Sequence, residues 1–581
     1  MATTDCKAAQ GPFAGDTTDC TSVVSSSYPN RLPDASSEKQ NPVDDGSSEK
    51  QNPVDEPAEA SLAKPLTRDE TEENYKPKTI RFWLIVLSAF VSMFLVALDR
   101  TILSTAIPRI TDDFHSLGDI GWYGSAYMLT TAAFQLLFGR IFKFYDLRIT
   151  FLWCIVVFEV GSAICGAAPS SPVFIVGRAI AGLGSAGITT GTMMIIIPMV
   201  PLHKRPMFQS LFGVIFGISS VAGPLIGGAF TERVTWRWCF YMNLPVGVVA
   251  FIFLFFFLKI KTEPSQPAPL KEHIMRLDPL GTFFFVPSVV CLILALQWGG
   301  STYPWNSWRI IILFIFCVLA AGAFAAVQIL MPKTATLPVR IIKKRTTLAA
   351  TFFMFFLAGG MLMLVYYIPL WFQTTHGIDP VQSGIYTIPL ILSLVVAAAC
   401  SAIFTQRIGY FAPSMIASPC VTAIGEGLMT TFTPTTGSPH WIAYQFLVGF
   451  GIGLGMQTSM ISVQATLPKS DVPMGVAIVL FAQQLGGAIF VSVGQTILSG
   501  ALVQKLSHLP GLDPQAIVRT GATDLRKMLP PSDLQIVLDA YNYACTRIFW
   551  AALALAFAQL VSACCVEWRS IKKKKPGPAS A

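Results

Sequence analysis

Four charged side chains sit inside stretches that are otherwise apolar: Asp99, Glu159, Arg178 and Glu426. Removing an ion from water is costly, at least roughly 3 kcal/mol for an arginine at membrane depth. Each of the four therefore needs a partner, a path to water or a task. A carboxyl group in such surroundings can take up and release a proton, which suits Asp99 to coupling proton movement to another event. Its neighbour Arg100 is a poor static partner, because adjacent residues on a helix point about 100° apart. Arg178 lies four residues before Gly182, on the same helix face, where it either serves this chemistry or snorkels to an interface. Glu159 reads equally as a second protonation site or as a permanently neutral hydrogen-bonding acid. Glu426 falls in no pattern with the others.

Other chemistries find little support. Gly182-Leu-Gly-Ser-Ala-Gly187 has the spacing of a dinucleotide-binding loop, but no acid follows about 20 residues on and no alternating strand pattern surrounds it. Gly182, Gly184 and Gly187 are read as helix-packing residues. The twelve cysteines include no Cys-x-x-Cys, so neither a metal site nor a disulfide framework is expected. Thr111-Asp-Asp-Phe-His115 is the one acid–histidine cluster that could serve a membrane-embedded transferase, and it is expected in an outer loop. No folded soluble region is expected to hydrolyse a nucleotide, and the basic residues lie between apolar runs rather than on one nucleic-acid-binding face.

The elements that must position these residues are membrane-type helices. Of 581 residues 53% are hydrophobic and 13% charged, about half the charge of a soluble chain, and the mean hydropathy is +0.56. From Phe82 about fourteen apolar runs are long enough to cross a bilayer of roughly 30 Å. The first covers 82–106 and the last 547–567; that at 411–431 is interrupted by Pro413, Pro419 and Glu426. Basic residues concentrate in alternate loops at roughly four to one, from Arg140, Lys143 and Arg148 to Lys572–Lys575, which puts both termini in the cytoplasm. An even number of spans agrees with that.

The expected organisation is a disordered cytoplasmic tail over 1–78, with Ser36–Asp44 repeated as Ser47–Asp55. The first polar residues indicate no cleavable signal peptide. A six-helix bundle follows over 79–260, a linker with two additional helices over 261–345, a second six-helix bundle over 346–567, and a basic tail over 568–581. Within the second bundle, 500–546 is expected as a long outer loop, with an amphipathic helix capped by Ser532. Glycine clusters near 182 and 451 recur in the same order but at different spacings, a weak sign that the two bundles are related.

Gly217-Ile-Ser-Ser-Val-Ala-Gly-Pro-Leu-Ile-Gly-Gly228 places Ser219, Gly223 and Gly227 on one helix face, where another backbone can approach closely. Pro224 removes a donor there and should bend the helix; Gly228 completes the pattern. This stretch resembles the fifth-helix antiporter motif of the major facilitator superfamily. Gly177–Gly187 resembles that family's fourth-helix motif, which implies a part for Arg178 in proton coupling. Leu98-Asp-Arg-Thr-Ile-Leu-Ser-Thr-Ala-Ile-Pro108 resembles the first-helix signature of its fourteen-span drug:proton antiporters, and Phe158-Glu-Val-Gly-Ser162 is similar to runs in fungal carriers. In Gly139–Arg148 the acid usual in the cytoplasmic loop motif is Lys143 and a later glycine is Asp146, so the family's latch cannot be copied here. Thr235–Gly247, with Trp-Arg-Trp at the outer interface, Leu294–Gly300 and Tyr366–Gln373 resemble fungal multidrug and toxin carriers.

The resemblance implies an all-α polytopic membrane protein of the major facilitator fold, two six-helix bundles plus two central helices. It implies proton-driven efflux of a hydrophobic small molecule (metabolite, toxin or drug) by alternating access, and no enzymatic activity. Asp99, Glu159 and Arg178 would couple protons, and Tyr366, Tyr367, Trp371 and Gln373 would line a substrate cavity. No cofactor beyond the proton gradient, no metal and no nucleotide is expected; the partners are the substrate and the lipid bilayer, and the protein is expected to be a monomer in the plasma membrane. A vacuolar, siderophore or amino-acid carrier of the same fold is the alternative. Asp99→Asn is expected to abolish proton-coupled transport without abolishing folding.

Overall fold

A computed structural model describes residues 75–116, 119–258, 269–300, 302–332, 334–507 and 531–572. The expected amino-terminal tail and most of the expected outer loop lie outside them. The described chain is helical throughout, without a strand. In order the long helices are α1 (Ile80–Phe114), α2 (Ile120–Phe144), α3 (Leu147–Ala167), α4 (Ser171–Met199), α5 (Arg205–Arg233), α6 (Asn243–Phe257), α7 (Pro279–Trp298), α8 (Trp308–Leu330), α9 (Arg345–Trp371), α10 (Ile388–Ile408), α11 (Ala412–Met429), α12 (Ser438–Thr466), α13 (Val472–Leu506) and α14 (Pro531–Cys564). Twelve segments are long and apolar enough to cross a membrane. The other two, α2 and α11, have 25 and 18 residues. Tyr, Gly, Ser, Thr and Gln dilute the apolar character of α2, and its buried Tyr123, Thr131 and Gln135 face neighbouring helices.

Several boundaries correct the sequence reading. α1 does not stop before Pro108 but runs on to Phe114, so Thr111–Phe114 form its last turn rather than a loop, and His115 caps it at φ 48°. Neighbouring helices make a proline inside a buried membrane helix tolerable. α13 continues to Leu506, and α14 is already helical at Pro531. The expected loop over 500–546 therefore shrinks from both ends, and Ser532 lies within a 34-residue helix instead of capping a separate one. Of the Trp-Arg-Trp group only Trp238 is exposed; Trp236 is buried against Phe114, Phe174 and Phe240 and donates to Asp113 Oδ2 at 3.2 Å.

Close packing depends on residues without side chains. Gly182 sits against the Tyr127 carbonyl and Thr130 of α2, Gly184 against the backbone of Phe158 in α3, and Gly187 against Cys154. In α5, Gly223 meets Thr101 and Ile102, Gly227 meets Thr105 and Ile102, and the Thr101 hydroxyl donates to the Ser219 carbonyl at 2.9 Å. The face defined by Ser219, Gly223 and Gly227 is thus laid on α1. Gly228, one residue round, has open space.

The two bundles repeat each other in three dimensions. In the first, α1 packs on α4, α5 and α6, and α4 on α2 and α3. In the second, α9 packs on α12, α13 and α14, and α12 on α10 and α11. Gly182 and Gly184 of α4 are matched at equal spacing by Gly449 and Gly451 of α12, which abut Leu390 and Thr422. The bundles meet through α2 with α13 and α5 with α10. This exchange of second and fifth helices is what a pseudo-two-fold axis requires. Helices α7 and α8 pack on each other, with α7 against α2 and α13.

Basic loops gather at one end. Arg140 donates to the carbonyls of Arg276 (2.7 Å) and Thr334, Lys143 and Arg340 reach Asp471, and Lys572 reaches the Arg407 carbonyl. Asp278, buried, caps α7 and accepts from Gln328 and Thr336 at 2.8 Å. Asp146, at the position where a glycine was expected, caps α3 by accepting from the Ile149 amide at 2.9 Å.

The glycine contacts give a sharp comparison. A Cβ on Gly184 would lie 2.5 Å from the Phe158 backbone nitrogen, so Gly184→Ala should destabilise by about 1–3 kcal/mol through overpacking. Gly228→Ala should be neutral or slightly stabilising. Thermal melting of the detergent-solubilised protein separates the two.

Candidate functional site

The intramembrane charges converge in the first bundle. Arg178 of α4 donates through Nη1 to Asp99 Oδ2 of α1 at 2.6 Å and through Nε to the Tyr123 carbonyl of α2 at 2.9 Å. Both partners are sealed, with side-chain exposures of 1% and 0%. The snorkelling alternative for Arg178 is thereby replaced by a fully enclosed ion pair. Beneath its guanidinium lies the ring of Tyr127, 4.5 Å away. Asp99 keeps Oδ1 without a hydrogen-bond partner among the described residues. Asp99 and Arg100 do not pair; the Arg100 guanidinium also lies over the Tyr127 ring, 5.3 Å from its centroid.

Glu159 of α3 lies near Asp99, close enough for their charges to interact, and neither of its oxygens has a hydrogen-bond partner among the described residues. Its carboxyl rests directly on Gly247 of α6, where any side chain would collide with it. Gly247 is the last residue of the Thr235–Gly247 stretch, and the absence of a side chain there was the available signal for its role. Glu426 stands alone in the second bundle, buried beside Gly360, with Oε2 unpartnered.

The aromatic candidates separate. Trp371 is wholly buried, stacks on Phe432 at 4.5 Å and donates to Asn542 Oδ1 at 2.7 Å. Tyr367 is buried and donates to the Val491 carbonyl at 3.0 Å. Gln373, in a π-helical turn, donates to Ser383 at 2.9 Å. These three serve the internal packing of the second bundle in this conformation. Tyr366 is different: 51% exposed, on α9, within electrostatic reach of Arg100 across the gap between bundles.

Side-chain bonds that join the bundles lie at the basic end. Lys143 of α2 reaches Asp471 Oδ1 at 3.0 Å, Arg340 reaches the same oxygen at 3.0 Å, and Arg205 at the start of α5 reaches Gln464 of α12 at 3.3 Å. Below them Gly139 abuts Ala477. Asp471, which sequence reasoning passed over, immediately precedes α13 and supplies the acid that Lys143 lacks. An arrangement of paired bundles, closed at one end around enclosed charges, fits a carrier rather than a hydrolytic or transfer site, and no metal-binding cluster occurs among the described residues.

The profile of the Major Facilitator Superfamily matches residues 89–491. The chain belongs to that superfamily. It is a membrane transporter, not an enzyme. It is 50% identical over 505 residues to the MFS-type efflux pump MFS1 of Arthroderma benhamiae, covering 86% of this chain and 94% of that protein. Over 499 residues it is 48% identical to the efflux pump aflT of Aspergillus parasiticus, covering 85% and 97%. Solved structures share the fold: the human organic anion transporter MFSD10 (TETRAN), at TM-score 0.53, 14% identity and coverage of 82% and 99%, and the proton:xylose symporter XylE, at 0.52, 15%, 82% and 96%.

Asp99→Asn strands the enclosed Arg178 charge, so the variant is expected to fold with reduced stability. Breaking a buried pair costs about 3–5 kcal/mol, so Asp99→Asn should lower the melting temperature of the purified transporter. Asp99→Asn with Arg178→Gln should recover most of the loss. The second bundle displays the neutral version: Gln445, matching Arg178, donates to the Tyr386 carbonyl at 3.0 Å.

Proposed function

We propose that this transporter exports a hydrophobic small molecule (a secondary metabolite, toxin or drug) in exchange for protons. The observation that carries the reading is the Asp99–Arg178 pair with the unpartnered Glu159 beside it. An intramembrane carboxyl without a donor or cation has a proton as its natural counter-ion, which makes Glu159 a proton carrier; Asp99, whose Oδ1 has no partner among the described residues while Arg178 holds its Oδ2, is the second carboxyl of the coupling pair. The efflux direction follows the relatives, which are named as efflux pumps. All fourteen long helices cross the membrane on this reading, α2 and α11 included, because each continues the alternation that brings the basic loops to one end. That end is cytoplasmic, with both termini, and the membrane is the plasma membrane. A vacuolar carrier of the same fold is distinguished by imaging the tagged protein.

Transport proceeds by rocking of the bundles about the gap near Arg100 and Tyr366. The described conformation is closed to the cytoplasm through Lys143–Asp471 and Arg205–Gln464. In this latch the cation, Lys143, sits on α2 and the acid, Asp471, stands before α13.

Inside-out vesicles should accumulate a fluorescent planar drug when a proton gradient is imposed, and a protonophore should collapse the uptake. Asp99→Asn and Glu159→Gln should each abolish the gradient-driven component. Undiminished uptake by either variant would remove that residue from the coupling, and wild-type uptake indifferent to the protonophore would sink proton exchange altogether.

Lys143→Glu sets two acids against each other at the latch. It should slow uptake by about tenfold, equivalent to roughly 1.4 kcal/mol, while Lys143→Arg keeps most of the rate. Equal rates in the three proteins would show that the latch does not limit the cycle.

A further inference from the structure

Arg100 stands apart from the other enclosed arginines. Arg178 is answered by Asp99, Arg205 by backbone carbonyls and Gln464, and Arg140 by two carbonyls. Arg100 has neither an acid nor a hydrogen-bond acceptor among the described residues, and its Nε is enclosed and unpartnered. Its one attractive contact is the Tyr127 ring at 5.3 Å. Asp99 turns inward to Arg178 of α4, whereas Arg100 lies close enough to Tyr366 of α9, half-exposed on the facing bundle, for the two to interact electrostatically. An uncompensated guanidinium is too costly at this depth to be idle. A planar fork of donors over one tyrosine ring and near a second, half-exposed one is a recognition geometry for a flat ring bearing an anionic oxygen.

We infer that Arg100 is the anion-binding residue of the transport route, and that the preferred substrates are planar aromatic acids: carboxylates, or phenols and enols ionised near neutrality. The acid oxygen accepts from the Arg100 guanidinium, and the ring system lies along Tyr366. The Tyr127 ring is shared by this guanidinium and by Arg178 of the enclosed pair, so the substrate anion and the coupling carboxylates meet different cations beside one aromatic ring. The inference takes the gap between bundles as the substrate route, as the efflux reading does, but it does not depend on proton coupling.

The test is equilibrium binding to the full-length protein in lipid nanodiscs, with no gradient present. Fluorescein, an anionic xanthene, is compared with a rhodamine ester, the same ring carrying a positive charge. Wild type should bind fluorescein more tightly. Arg100→Gln should weaken fluorescein binding by roughly ten- to a hundredfold, the loss of a hydrogen bond to a charged group, without weakening rhodamine, and Arg100→Lys should fall between. Arg100→Gln should also melt like wild type, since no ion pair is lost. A second measurement needs no variant: pyrene carboxylate should displace bound fluorescein, and pyrene methanol, of the same shape, should not. Equal fluorescein affinity in wild type and Arg100→Gln, equal loss of both dyes, displacement by both pyrenes, or a wild type that binds neither dye would overturn the assignment. Because no gradient is used, failure of proton-driven uptake would defeat the coupling reading and leave this one standing.

Discussion

A guanidinium enclosed at membrane depth is tolerable only where its charge and its donors are answered, and Arg178 sets that requirement for the first bundle. Its answer comes from two helices at once, the Asp99 carboxylate on α1 and the Tyr123 carbonyl on α2. Both must stay within hydrogen-bond reach, so α4 has to lie close to its neighbours over its whole length. Gly182, Gly184 and Gly187 permit this by removing side chains where α2 and α3 approach. Gly223 and Gly227 do the same for α5 against α1. Packing and charge are thus one constraint: the ion pair is affordable because the glycines exclude water and lipid, and the close approach holds the pair in register.

Comparison of the two bundles shows which of these features is scaffold. The glycine contacts of α4 recur in α12, and the Arg178-to-Tyr123 hydrogen bond recurs as Gln445 to the Tyr386 carbonyl. The backbone bond is therefore part of the repeated fold, and a neutral amide makes it adequately. What the second bundle lacks is the charge. An ion pair with the same backbone anchor, retained in one copy alone, points to work that the scaffold itself does not demand.

Local periodicity was legible in the sequence, and distant pairing was not. The contact face Ser219, Gly223 and Gly227 follows from spacing by four, and helices α1 to α14 follow from apolar runs. Asp99 and Arg178 could be singled out by type, but nothing local joins residues on different helices. The internal repeat was obscured because glycines were aligned by order: Gly182 and Gly184 correspond in space to Gly449 and Gly451, whereas matching by order set Gly451 opposite Gly182. Pro108 misled at the end of α1, since a proline that ends a helix in water is absorbed inside a bundle. The cavity aromatics could not be sorted without depth and direction: Tyr366 and Tyr367 are neighbours, yet one faces the gap and the other the bundle interior.

The two kinds of ion pair differ in the way their positions require. Asp99–Arg178 is sealed, with side-chain exposures of 0% and 1%, and no water can replace either partner if they separate. Such a pair suits a part that holds three helices of one bundle in register. Lys143–Asp471 lies at the basic end, where Lys143 is 19% exposed and Arg340, on the same carboxylate oxygen, is 67% exposed. Water can take over these contacts as they part, so separation costs little beyond the modest worth of a partly solvated pair. On the rocking mechanism proposed for this carrier such a contact is broken on every cycle, and a strong enclosed pair would hold it shut. Lysine on α2 and aspartate before α13 supply that balance, because attraction across the interface depends on opposite signs and not on which bundle carries which.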